Sequence, residues 1–256
     1  MTNVQTPPPL TRPKAIMCWS GGKDSAMALH RARENFEVMG LLTTMNAEFS
    51  RISMHGVRES MLDAQAAAMD LPMHKVWVGG STHGEYEDQM RAALEGLKAV
   101  GVTHVIFGDI FLQDLREYRE RQLAKVGLLA VFPLWQSNTS ELIQTFIDTG
   151  FKTITCCIND AYLDESWAGR EIDAAFIADL PEHVDPCGEH GEYHTFCFDG
   201  PIFNQPVEFK RGEVVYRPLQ APMPVAPKDT ADDRYDCVSP VETKGFWFCD
   251  LLPLKD

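Results

Sequence analysis

The chain has 256 residues, 45% of them apolar, and a formal net charge of −14. This length suits one large α/β domain or a domain with a smaller partner, and the composition is ordinary for a chain with a buried core. No run of about 18 apolar residues is present to cross a membrane. No basic-then-apolar leader marks secretion, and the acidity argues against nucleic acid as a partner. The seven cysteines form no Cys-x-x-Cys pair. Cys18 and Cys156-Cys157 lie inside apolar runs, which reads as reduced, buried thiols of a cytoplasmic protein.

Residues 1–13 hold Pro7-Pro8-Pro9 and Pro13 and read as a flexible leader. A strand is expected over Lys14–Trp19, followed by the tight run Ser20-Gly21-Gly22-Lys23-Asp24-Ser25. A helix then opens, with Ser25, Ala28, Leu29, Ala32 and Phe36 at helical spacing. Val38–Met45 is a second apolar strand. Asn46–Val57 turns polar, with Arg51, His55 and Gly56, and reads as an active-site loop. Arg58–Met69 is helical, with Met61, Leu62, Gln65 and Met69 on one side, and Leu71-Pro72 ends it. A strand over His74–Val78, a helix over Glu85–Val100 stopped by Gly101, and a strand over Thr103–Ile110 follow. Strands alternating with helices predict a doubly wound parallel sheet with right-handed crossovers. Ligands in such sheets sit beyond the carboxyl ends of the strands. The Ser20–Ser25 loop, the Met45–Gly56 loop and Gly108-Asp109 should therefore converge on one crevice.

The second half is less regular. A helix over Leu112–Val126 and a strand over Leu128–Phe132 lead to Pro133-Leu134-Trp135. Asn138 with Glu141 three residues on marks a helix start and Gly150 its stop. Phe151–Ile158 is strand-like, and Phe176-Ile177 suggests a short helix. Short β patterns recur at Glu213–Tyr216 and Phe246–Leu251. The expected division is a nucleotide-binding domain over 14–130, a smaller α+β substrate domain over 131–206, and a proline-rich extension over 207–256. Homodimerisation is open, with no apolar stripe that demands it.

Adjacent glycines let a backbone approach a ligand closely, and the helix start adds its positive dipole end. Lys23 supplies a mobile charge, and Ser20 and Ser25 supply hydroxyls. Such a loop suits phosphate. A Walker A loop is excluded, since Asp24 follows Gly22-Lys23 and Met17 occupies the position of the first glycine. Asp24 either helps to hold a magnesium ion with Asp109 or caps the helix, for which aspartate is favoured.

A second polar cluster runs through Gly188, Glu189, His190, Gly191, Glu192, Tyr193, His194 and Thr195. It reads as a substrate-side site. Cys187-x2-His190-x3-His194 also permits a zinc reading with an incomplete ligand set, and a polar loop without chemistry is the plain alternative.

The Ser-Gly-Gly-x-Asp-Ser run resembles the signature of the PP-loop ATP pyrophosphatases, which cut ATP between the α and β phosphates. More closely, several motifs together resemble the diphthine–ammonia ligase family over about residues 14–205. They are Ser20–Ser25, His55-Gly56, Gly108-Asp109-Ile110, Pro133-Leu134-Trp135, Gly188-Glu189-x-Gly191-Glu192-Tyr193-His194-Thr195 and Asp199-Gly200-Pro201. The resemblance implies a HUP-type nucleotide domain and a smaller C-terminal domain. It also implies ATP- and Mg2+-dependent amidation of a carboxylate with ammonia, in the named family that of diphthine on elongation factor 2. Under it, Ser20, Gly21, Gly22, Lys23, Asp24, Ser25, His55, Gly56 and Gly108 bind nucleotide. Lys23, Asp24, Asp109, Glu189, Glu192 and His194 carry the chemistry, and Asp24 and Asp109 hold the metal. Glu189 and Glu192 would orient substrate or ammonium, and His194 would move protons. His55 contacts nucleotide or substrate or serves only as a loop hydrogen-bonder. Other readings within the superfamily are another carboxylate, tRNA thiolation and ATP sensing without turnover. Thiolation is disfavoured by the acidity and by Cys156-Cys157 lying in a strand.

Overall fold

A computed structural model of the chain describes residues 11–46, 51–52, 56–78, 83–219 and 242–254. Its first half runs β1 (Lys14–Cys18), α1 (Lys23–Ala32), β2 (Glu37–Asn46), β3 (Arg51–Ile52), α2 (Glu59–Met69) and β4 (Met73–Val78). It continues through α3 (His83–Ala99), β5 (His104–Ile106), α4 (Gln113–Val126) and β6 (Leu129–Val131). The parallel strands lie in the order β4-β2-β1-β5-β6, and β3 pairs antiparallel with the last two residues of β2.

The continuous apolar strands follow from burial on both faces. Ala15 and Met17 of β1 point into a core with α1 and α2, whereas Ile16 packs on the other side with Leu94 and Leu97 of α3 and Leu123 and Val126 of α4. From β1 the chain builds outward through β2 and β4, then returns to add β5 and β6 on the other side. The strand order therefore reverses between β1 and β5. Their carboxyl ends flank the crevice where doubly wound sheets bind ligands.

The second half contains α5 (Thr139–Asp148), β7 (Lys152–Asn159), α6 (Ala174–Asp179), β8 (Tyr193–Asp199), β9 (Phe209–Pro218) and β10 (Gly245–Pro253). The Asn138 side chain caps α5 by accepting from Glu141 N, as its spacing predicts. The strands form an antiparallel sheet in the order β8-β7-β10-β9. Both β patterns seen beyond residue 206 are longer than expected, and β10 lies inside this sheet between β7 and β9. The fold is thus α/β with a smaller antiparallel part. One apolar core is continuous from α1 and α2 into β7 and β8.

Two expectations change. The strand expected over Thr103–Ile110 ends at Ile106. There the chain leaves the sheet to pass the start of α1. A Cβ on Gly108 would lie 2.9 Å from Asp24 C and 3.0 Å from Ser25 N. The expected all-loop stretch Asn46–Val57 contains β3. His55 lies outside the described residues.

Candidate nucleotide and ligation site

The loop between β1 and α1 turns on Gly21, which has a φ of +82°. Gly22 begins the helix without any side-chain cap of its own loop. The missing acceptor comes from the second sheet, where Thr195 Oγ1 accepts from Lys23 N at 3.0 Å. Cys197 N donates to Gly21 O at 2.8 Å. Gln65, fully buried on α2, closes the junction. Its amide donates to Gly21 O (2.9 Å) and Cys197 O (2.6 Å), and its carbonyl accepts from Trp19 Nε1 (2.8 Å). Inside the loop Ser25 Oγ donates to Gly22 O, and Gly22 N donates to Ser20 Oγ.

Lys23 is 3% exposed. Its ammonium donates to both oxygens of Asp24 (3.0 and 2.8 Å) and to the carbonyl of Cys187, 5.5 Å from the Tyr193 ring centroid. Burial works against this charge, but Asp24 and, behind it, Cys187, Tyr193 and Glu189 hold the amine above the ordinary lysine range. Lys23 thus joins the phosphate-type loop to the Asp185–Thr195 segment.

That segment is wound around two carboxylates. Glu192 has no exposure, and it accepts from Asp185 N (2.9 Å) and His190 N (2.8 Å). Asp185 accepts from Cys187 N, Glu189 N and the Thr139 hydroxyl. Gly188 has a φ of +71° and leaves 2.9 Å between its Cβ position and Tyr193 O, so only glycine fits this turn. The Cys187 thiol points to Thr139 O. Among the described residues no three His, Cys, Asp or Glu side chains converge to hold a metal ion.

Between the two loops lies a cavity of about 470 Å³. It brings together Ser20, Lys23, Asp24 and Ser25 with Gly108 and Asp109, and these with Glu189, His194 and Thr195. Glu189 is pushed up from 4.5 to about 8, first by burial and then by Asp24, against the pull of Lys23. A carboxyl group in that range exchanges protons near neutrality.

Four expected site residues stand elsewhere. Gly21 and Gly22 shape the loop from behind the cavity lining. Gly56 packs on the ring of Phe248 in β10, where a Cβ would come within 2.7 Å of Cδ1. Glu192 faces backbone N–H groups inside its own loop, so its carboxylate holds that loop instead of meeting a ligand. The two proposed metal carboxylates are present but each is matched to a cation, Asp24 to Lys23 and Asp109 to Arg119 at 2.7 Å. This donor set does not make a magnesium cage of the protein's own.

Gln65 and Asp185 were not singled out by their positions in the sequence. Gln65 did leave a signal, as the one amide on an otherwise apolar helix face with Met61, Leu62 and Met69. A buried polar side chain on such a face needs partners, and here they are the loop and β8.

The reversal of strand order, the glycine loop at a helix start and the facing carboxylate loop define an α/β fold of PP-loop type. The model of the Diphthamide synthase N-terminal domain matches residues 13–130, and that of the C-terminal domain matches residues 138–221. The chain belongs to the diphthamide synthase family. It is 26% identical over 231 residues to a human protein named diphthine–ammonia ligase, covering 81% of this chain and 86% of that one. The bovine protein of the same name is 25% identical over 231 residues with the same coverage. The Schizosaccharomyces pombe protein of that name is 24% identical over 237 residues, and this chain spans 39% of its length. A solved Methanocaldococcus jannaschii structure, described as a predicted subunit of tRNA methyltransferase, aligns with a TM-score of 0.40 at 14% identity. It covers 74% of this chain and 98% of its own, a likeness too low to bear on function. No described helix is long and apolar enough to cross a membrane.

Proposed function

We propose that the protein is an ATP-dependent ligase that adenylates a carboxylate, releases pyrophosphate and forms an amide with ammonia. The supporting observation is the shared cavity, in which the start of α1 and Lys23 face Glu189 and His194 across one space. Family membership and the relatives' names support the ligase class and make diphthine the first acceptor to test.

In this reading the carboxylate oxygen attacks the α-phosphorus, the bond to the β-phosphate oxygen breaks, and an acyl adenylate forms. Negative charge grows on the departing pyrophosphate. The amides at the start of α1 and the Lys23 ammonium, released from Cys187 O toward the phosphates, stabilise it. Ammonia then adds to the acyl carbon and AMP leaves. Ammonium must first lose a proton, and Glu189, with its raised pKa, is the residue to accept it. His194 carries the proton onward. Asp185 and Glu192 keep Glu189 in place by bonding the backbone on either side of it. A magnesium ion would supply charge neutralisation on the triphosphate; none of the steps above is assigned to it.

ATP–pyrophosphate exchange against a panel of carboxylates beginning with diphthine, with and without ammonium, tests the reading. Carboxylate-dependent exchange, with AMP and amide accumulating only when ammonium is added, is expected. ATP binding without exchange for any carboxylate would refute adenylation.

A further inference from the structure

Arg119 of α4 is the other cation of the cavity wall, and its setting differs from that of Lys23. Its guanidinium lies over the Phe107 ring with 4.3 Å from Cζ to the centroid. One edge meets Asp109, with Nε 2.7 Å from Oδ2 and Nη2 donating to Oδ1 at 3.2 Å. The first of these contacts is not an aligned hydrogen bond. Arg119 Nε and Asp109 Oδ2 are two of the four buried side-chain polar atoms left without a hydrogen-bond partner among the described residues. These two atoms face each other, so Asp109 holds the inner edge of the guanidinium, while the Arg119 side chain, 29% exposed, lines the cavity.

Lys23 and Arg119 stand on the elements that follow β1 and β5, the two strands flanking the reversal of strand order. Lys23 is occupied by Asp24 and the Cys187 carbonyl. Asp24 adds negative character to the same space. An anionic acceptor entering it needs a fixed positive group, and a stacked guanidinium with few rotamers left to lose supplies one.

We propose that Arg119 is the oxyanion receiver on the β5 side of the cavity, pre-oriented by Asp109 and Phe107 to take a carboxylate or phosphate oxygen. Asp109 is then a positioning residue that acts through Arg119, not a metal ligand. The proposal deepens the ligase reading and rests on it only for which anion is bound. A carboxylate implies the acceptor, and a phosphate implies the nucleotide.

The test uses the whole chain, and its first part needs no turnover. The Arg119 Nε–H signal, assigned by its loss in Arg119→Lys, is followed by NMR while sodium propionate and, separately, inorganic pyrophosphate are added. A shift with propionate alone identifies the acceptor carboxylate as the source, and a shift with pyrophosphate identifies phosphate; either supports the proposal. No shift with either overturns it. Arg119→Lys should keep its melting temperature yet lose at least tenfold in affinity for the shifting anion, and unchanged affinity again overturns the proposal. Asp109→Asn should raise KM for the corresponding substrate more than it lowers kcat, an asymmetry that a purely structural role would not produce. If propionate shifts the signal while no carboxylate supports pyrophosphate exchange, the ligase reading fails and the Arg119 assignment stands.

Discussion

The Ser20–Ser25 loop and the Asp185–Thr195 segment face the same cavity but are held in place differently. The first is braced mainly by other elements: Gln65 from α2, Thr195 and the Cys197 amide from β8, and the close passage of Gly108. The second is braced by its own carboxylates, Asp185 and Glu192, which gather N–H groups from within the turn. A loop braced from outside is held at the cavity edge, with Ser20, Lys23, Asp24 and Ser25 on the lining. A loop wound on internal acids presents a chosen side chain, here Glu189, at a fixed place.

Four substitutions test this contrast. Lys23→Met strikes where the two loops join. It should raise the adenylation barrier by about 2–4 kcal/mol, as loss of one donor from a preorganised anion site does, read as a fall in pyrophosphate exchange. Gln65→Leu removes the external brace, leaves Trp19 Nε1 without its acceptor and takes the Gln65 donor from Cys197 O and Gly21 O, of which Gly21 O keeps Cys197 N. Each unmet buried group costs about 1–3 kcal/mol, so chemical denaturation should show a loss of at least that size, with weaker ATP binding by calorimetry. Glu192→Gln attacks the internal brace, since an amide cannot accept with both atoms. A stability loss of about 1–2 kcal/mol is expected, with ATP affinity nearly intact and amide formation lost. Retained amide formation in that variant would remove the distinction between the loops.

Glu189→Gln should leave the fold intact and change its response to pH. The native group holds its proton up to about pH 8, whereas the unfolded one releases it near 4.5. Between those values the folded state binds more protons, so this group's contribution to stability falls as pH rises. The variant should flatten that part of the melting-temperature profile between pH 5 and 8. Amide formation by the unaltered protein should rise through pH 8 as the base form appears, and that rise should vanish in the variant.

The parallel sheet was readable from the sequence because its strands are buried on both faces and its helices begin and end on recognisable residues. The convergence of the glycine loop with Gly108-Asp109 followed from that topology. The Gly188–Thr195 run announced itself through the density of its polar side chains. Residue types alone could not separate its two glutamates, because the difference lies in direction: Glu189 faces the cavity and Glu192 faces backbone amides. Asp109 shows the same limit, since its pairing with Arg119 depends on how α4 returns past the end of β5. Thr195 as the cap of α1 was also out of reach, because no local pattern links positions so far apart.

That cap bears on how the protein is made. Lys23 N finds its acceptor 172 positions further along the chain. At bacterial to eukaryotic elongation rates the delay is roughly ten to thirty seconds. Until Thr195 has been made, α1 of a nascent chain lacks this cap, and the Gly21 carbonyl has only Gln65 as a donor. The Ser20–Ser25 loop is therefore completed only after β8 has been made.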